Sequence, residues 1–175
     1  MTAVAKSEEA APFYLDDLVV GQRFTSDSHV VTESEIKAFA AQFDPQPFHL
    51  DNEAAKATLF GGLAASGWHT AAISMELLVK SGLPLAGGII GTGGELNWLK
   101  PVRPGDALTV TSEVLEITPS SSRPDRGSIR VRIETRNQDG EVVQTFTPRL
   151  VIPRRVARHS NAQSVESGSP DRAKS

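Results

Sequence analysis

The run Asp44-Pro45-Gln46-Pro47-Phe48-His49-Leu50-Asp51 holds a carboxylate and an imidazole five positions apart, with two prolines between them. Both groups move protons, and their ordinary pKa values of about 3.9 and 6.5 are tunable by burial and by each other. Further on, Ser66-Gly67-Trp68-His69-Thr70 opens a long apolar stretch. A backbone N–H at a buried helix start, backed by the helix dipole, suits an oxygen on which negative charge develops, and losing such a donor typically costs on the order of 2.7 to 4 kcal/mol in catalysis. An acid/base pair beside an oxyanion donor is what adding water to, or removing it from, a thioester-activated carbon chain requires. Asp44, His49 and Gly67 are therefore the candidate reacting groups, with Ser66 and Trp68 beside them on the substrate side.

Each of these residues also has a plainer reading. Asp44 can be a helix-terminal residue making a local turn bond, His49 a packing histidine, and Gly67 a hinge that turns the chain into its helix. Ser66 is an N-cap by type and position. His69 has no carboxylate or cysteine at ligand spacing, so a metal site with His49 is not expected. Asp51 is a cap for the next short helix. The glycines at 87, 88, 91, 93 and 94 do not complete GxGxxG because Leu96 stands where the last belongs. Ser66 lacks a GxSxG elbow because Ala64 precedes it. Arg123, Arg126, Arg130, Arg132 and Arg136 suit either an anionic phosphate or a solvated strand face.

The elements that must position the pair follow from capping and periodicity. Gln22 to Val31 predicts a strand. Thr32 with Glu35 forms a capping box, and Ile36, Phe39, Ala40 and Phe43 share one face of a helix over about Glu33 to Gln42. Pro45 and Pro47 forbid its continuation, which makes 43–50 a stiff loop. Asp51 caps a short helix through about Ala57. From about Gly67 to Lys80, Ala71, Ala72, Ile73, Met75, Leu77, Leu78 and Val79 cover nearly the whole circumference, so this long helix is expected to be buried. Strands are predicted over Ile89 to Leu99, Ala107 to Ile117, Ser128 to Asn137 and Glu141 to Ile152, with a hairpin turn at Asn137-Gln138-Asp139-Gly140. Pro101, Pro104 and Gly105 separate the first two. The fold class is α+β, an antiparallel β-sheet wrapped around one long central α-helix. Such a sheet leaves edges open, and a second copy is the expected cover, making a homodimer.

Composition bounds the rest. The 175 residues are 39% hydrophobic, enough for one domain with a real core. Cysteine is absent, which removes disulfides, thiolate metal sites and cysteine nucleophiles. A formal charge of −3 with both signs interspersed presents no face for nucleic acid. Lys6, Glu8 and Glu9 interrupt what a signal peptide needs, and no run reaches the roughly 20 apolar residues of a membrane span. The expectation is a cytoplasmic protein. Residues 156–175 are too polar to repay ordering, and 1–12 are likewise read as disordered, leaving a domain over 13–155.

The run Phe43 to Ala55, the segment Ala65-Ser66-Gly67-Trp68-His69-Thr70 and the turn Trp98-Leu99-Lys100-Pro101-Val102-Arg103-Pro104-Gly105-Asp106 resemble the MaoC-type acyl dehydratases, a hot-dog-fold group that includes the (R)-specific enoyl-CoA hydratases. The resemblance covers nearly all of Phe13 to Arg155. It implies a hot-dog fold, an active site at a dimer interface, and an acyl-thioester hydro-lyase that interconverts 2-enoyl-CoA and (R)-3-hydroxyacyl-CoA. Acyl-CoA or another acyl thioester is then the substrate, with no cofactor and no metal. Asp44 and His49 match the catalytic pair of that family, which implies that together they position and activate the water, with one of them returning a proton to the α-carbon. The chain departs from the family pattern in three places. Gln46 stands where Asn is common, Ser66-Gly67 where His-Gly is common, and Met75, with Ser74 adjacent, where a supporting serine is common. Two alternatives remain at this level: a hot-dog thioesterase using Glu76, and a non-catalytic acyl-thioester binder or structural subunit of a heteromeric dehydratase.

Overall fold

The computed structural model describes residues 11–155. The segments expected to be disordered, 1–12 and 156–175, lie outside the described residues except for Ala11 and Pro12. The chain enters at Phe13, which bridges to Leu85. A 3-10 turn at Leu15–Asp17 follows.

Strand β1 (Arg23–Val30) leads through Thr32 into helix α1 (Glu33–Phe43). Thr32 accepts from the Glu35 N–H while Glu35 accepts from the Thr32 N–H, so the expected capping box is formed. The prolines stop α1 at Phe43 as expected, yet 43–50 is not all loop. Pro47 opens a one-turn helix α2 (Pro47–Leu50), because a first helical position needs no N–H and its φ is already set. Asp51 then caps α3 (Asn52–Lys56) by accepting from the Ala54 N–H at 2.7 Å.

The long helix α4 (Gly67–Leu77) is capped by Ser66. It was expected as one helix to Lys80, but it widens into a π-helical turn at Leu78–Gly82, closed by the Leu83 N–H on the Leu78 carbonyl at 2.9 Å. The widening brings Gly82 against β1, where an added Cβ would stand 3.2 Å from Ser26 Cβ.

Four further strands complete the sheet: β2 (Gly91–Trp98), β3 (Ala107–Pro119), β4 (Arg126–Arg136) and β5 (Val142–Pro153). Their order is β1-β3-β4-β5-β2, antiparallel throughout. Alternation decides the faces. Leu108, Val110 and Val114 of β3 and Ile129, Val131 and Ile133 of β4 point into the core, where Ile73, Leu77 and Leu78 of the helix meet them. The β4–β5 hairpin turns at the expected site, with Gly140 at φ +76° and the Asn137 side chain accepting from two backbone N–H groups. This is the α+β, hot-dog arrangement of an antiparallel sheet around one helix.

The helix is not buried on all sides. Trp68, Ala72, Met75 and Val79 form an exposed stripe, one turn apart in succession, while His69, Thr70, Ile73, Ser74 and Leu77 face inward. Apolar composition does not reveal which side a single sheet can cover. Edge strand β2 is also open, exposed at every residue except Leu96.

Candidate functional site

Asp44 is placed by the end of α1. Its N–H closes the last turn on the Ala40 carbonyl at 2.9 Å, and Pro45 then forces the chain away with the side chain turned back toward α4. The single turn of α2 carries His49, which is 4% exposed. Its Nδ1 lies 2.7 Å from the Ala64 carbonyl oxygen. A carbonyl only accepts, so Nδ1 carries the proton and Nε2 is the nitrogen presented to Asp44. Nε2 and Asp44 Oδ2 are 3.4 Å apart.

The carboxylate has two hydrogen-bond donors. Ser66 Oγ donates to Oδ2 at 2.7 Å, and the Gln46 amide donates to Oδ1 at 2.7 Å. The Ser66 hydroxyl foremost, then the Gln46 amide and the His49 ring, hold the Asp44 carboxyl below its usual range against the opposing effect of partial burial. Ser66 also accepts from the Trp68 N–H at 3.2 Å. It is wholly buried, so it acts as helix cap and as carboxylate donor at once. The longer amide at Gln46 still reaches the carboxylate, and the Gln46 N–H donates to the Asp44 carbonyl at 2.7 Å.

Asp44, Gln46 and His49 form the polar wall of a cavity of about 520 Å³, within the size range of small-molecule sites. Gly67, Thr70 and Trp98 also line it. Phe48, Phe60 and Trp68 supply apolar surface, the first two in tilted contact at 5.0 Å between centroids. Lys100 lies on the same cavity wall and is paired with Glu141. All five sequence candidates, Asp44, His49, Ser66, Gly67 and Trp68, therefore converge here, Ser66 from behind the carboxylate rather than on the lining.

Gly67 is needed for a reason the sequence does not reveal. A Cβ at this position would stand 2.5 Å from Trp98 Cε2, so the indole ring rests directly on the glycine. The Gly67 N–H, at the first helical position, has no intrahelical acceptor, and no acceptor for it occurs among the described residues.

Several residues escaped the sequence reading. Trp98 entered only as part of a turn motif. Its Nε1 donates to Gln144 Oε1 at 3.0 Å, Gln144 Nε2 donates to Ser74 Oγ at 3.0 Å, and Ser74 Oγ lies 2.7 Å from Thr135 Oγ1. Ser74 thus belongs to this buried chain and not to the Asp44–His49 pair. Arg103 donates to the carbonyls of Gly62 at 2.7 Å and Leu63 at 3.0 Å and also to that of Phe60, clamping the loop that carries Phe60 into the cavity. The only local signal for Arg103 was its place between two prolines.

Other candidates fall outside the site. Met75, standing where the family pattern has a supporting serine, faces a separate apolar cavity of about 340 Å³. Glu76 is paired with Lys80 on the exposed side of α4 and lines neither cavity. His69 stacks on Phe39 at 4.7 Å between ring centroids, its Nδ1 buried without a partner, and burial pushes its pKa down. Arg126, Arg130 and Arg136 pair with Asp125, Glu116 and Glu134 on half-buried to exposed positions, as a solvated strand face does. Among the described residues no group of three or more His, Cys, Asp or Glu side chains could hold a metal ion, and no helix is long and apolar enough to cross a membrane.

Comparison with known proteins adds a lineage to this geometry. The family model described as the MaoC like domain matches residues 18–136. The crystal structure of a MaoC-like dehydratase from Rhodospirillum rubrum is 62% identical, covers 82% of this chain and 99% of its own, and superposes with a TM-score of 0.81. An unliganded R-hydratase from Pseudomonas aeruginosa is 30% identical, covering 81% of this chain and 86% of its own, with a TM-score of 0.65. The 3-hydroxybutyryl-CoA dehydratase of Methylorubrum extorquens is 35% identical over 121 residues, 66% of this chain and 72% of that protein.

Proposed function

This chain belongs to the MaoC-like dehydratase family, and we propose that it is a hydro-lyase that interconverts a 2-enoyl-CoA and its (R)-3-hydroxyacyl-CoA. The observation that carries the reading is the 3.4 Å approach of His49 Nε2 to Asp44 Oδ2 on the wall of a cavity that Gly67 also lines. The (R) configuration and the CoA carrier draw support from the R-hydratase and 3-hydroxybutyryl-CoA dehydratase among its relatives.

In the hydration direction, water sits between Asp44 and His49. Because the Nδ1 proton is committed to Ala64, Nε2 offers the lone pair that takes a proton from water as its oxygen bonds to the β-carbon. The electron pair of the double bond moves to the thioester oxygen, which accepts from the Gly67 N–H at the α4 start. The imidazolium, stabilised by the Asp44 carboxylate, returns the proton to the α-carbon. No further cofactor enters this balance.

A homodimer is part of the same reading. The exposed stripe Trp68, Ala72, Met75, Val79 and the open β2 edge are the surfaces a second copy would cover. Nothing in the geometry favours a thioesterase, since Glu76 does not reach the cavity.

The test follows the loss of conjugated enoyl absorbance with crotonyl-CoA alongside release of free thiol. Absorbance loss without thiol is expected, with Asp44→Asn and His49→Ala each slower by at least about 10²-fold, the usual scale of a positioned acid or base. Thiol release without hydration overturns the reaction class. Full hydration by both variants overturns the site.

A further inference from the structure

The groove between helix α4 and edge strand β2 holds two cavities in line. Successive side chains on one face of a strand alternate, so Gly94, Leu96 and Trp98 share the helix-facing side of β2. Gly94 and Leu96 line the apolar cavity, whereas Trp98 lines the cavity of Asp44 and His49. The helix repeats this order. Gly67 and Thr70 face the first cavity, Ala71, Ser74 and Met75 face the second, and Trp68 borders both.

Trp98 stands at the boundary along both elements. Its ring lies on Gly67, at the one position of α4 without a side chain to hold it off. It meets Trp68 edge to face, with centroids 5.1 Å apart and planes at 82°. Its indole N–H is tied to Gln144, itself 1% exposed and tied to Ser74 in the wall of the second cavity. Trp98 is 45% exposed, yet its ring rests on Gly67, meets Trp68 and is hydrogen-bonded to Gln144, which together restrain it from swinging freely.

We propose that Trp98 is a specificity-determining partition: it closes the α4–β2 groove between the reacting groups and the apolar cavity, and so restricts the enzyme to short, crotonyl-sized acyl groups. The proposal rests on the hydratase reading for its substrate but not for its geometry. Removing the indole joins the two cavities into one channel, whose far part, walled by Leu96, Met75, Leu78 and Phe146, is apolar enough for a medium-length acyl tail.

The experiment compares wild type, Trp98→Ala and Trp98→Phe on crotonyl-, hexenoyl-, octenoyl- and decenoyl-CoA, reading kcat/KM for each, and separately titrates saturated butyryl- and octanoyl-CoA by calorimetry. Wild type is expected to prefer the four-carbon substrate. The octenoyl to crotonyl ratio should rise at least tenfold in Trp98→Ala and by less, in the same direction, in Trp98→Phe, which retains most of the ring packing if the alanine variant does not fold. Adding Ala71→Phe, which fills the second cavity, should return the ratio toward wild type. A wild type that already prefers octenoyl-CoA, or an unchanged ratio in a folded Trp98 variant, overturns the partition. If no enoyl-CoA reacts, the hydratase reading fails alone, and the octanoyl to butyryl affinity ratio decides the partition: a tenfold rise in the variants upholds it and no change overturns it.

Discussion

Ser66 Oγ donates to Asp44 Oδ2 at 2.7 Å while accepting from the Trp68 N–H at 3.2 Å, so one hydroxyl joins the start of the central helix to the candidate catalytic carboxylate. The residue that begins the helix also fixes the ionisation and direction of the acid 22 positions earlier.

Ser66→Ala should therefore have two separable effects. Loss of the cap should lower stability by about 1 kcal/mol, readable in a denaturant titration. Loss of the largest stabilising contact to the carboxylate should raise the Asp44 pKa toward its ordinary value, readable by carboxyl-carbon NMR. The sign follows from a depressed pKa: the stabilisation is present above the ordinary carboxylate range and is lost as pH falls through the lower folded value. In Ser66→Ala the loss should be smaller and should be complete at higher pH, because the folded value lies closer to the ordinary one. An unmoved Asp44 titration would rule out the coupling.

Gly67→Ala should destabilise the fold by about 1–3 kcal/mol, the range for overpacking, because the new methyl meets the Trp98 ring. Combined with Trp98→Leu, the penalty should largely disappear. A double-mutant cycle on thermal unfolding measures this coupling, and additive effects would show that the ring is not what excludes a side chain there.

Arg103→Lys keeps the charge but cannot span the carbonyls of Phe60, Gly62 and Leu63. A loss on the order of 2 kcal/mol is expected from hydrogen bonds made by a charged donor. Amide exchange over residues 57–64 should rise while exchange in the β3–β4 core stays slow, since the clamp acts on the loop alone.

His69 has its pKa lowered chiefly by burial, with His29 acting in the same direction and Glu35 opposing it. The unfolded chain then binds the proton more readily, so stability falls as pH drops below about 6.5, the ordinary histidine value. His69→Phe preserves an aromatic partner for Phe39 and removes the buried Nδ1. Its melting temperature should fall less between pH 7 and pH 5 than that of the wild type, as followed by circular dichroism.

Much of the fold was legible because its signals are local. Thr32 and Glu35 cap within one turn, Pro45 and Pro47 end a helix by their own chemistry, and Asn137 with Gly140 turns a hairpin within four residues. The α4 boundary was less legible. Its π turn depends on Gly82 meeting Ser26 and Ser112, which lie far away in sequence, and its exposed stripe depends on a sheet that covers only one side. Within the site, Asp44 and His49 were visible as a pair, and Gly67 as a helix start. That Ser66 reaches Asp44, that Ala64 selects the His49 tautomer, and that Trp98 lies on Gly67 were not.

By itself, then, the sequence determined the element types, the α+β class and the short run that presents Asp44 and His49, since these follow from capping, proline geometry and side-chain periodicity acting over a few residues. Only the tertiary structure decided the hydrogen-bond partners of the pair, the clamp by Arg103 and the wall made by Trp98 and Gln144. Those contacts depend on strand register and helix placement, which bring together residues 15 to 46 positions apart and leave no mark in any local pattern.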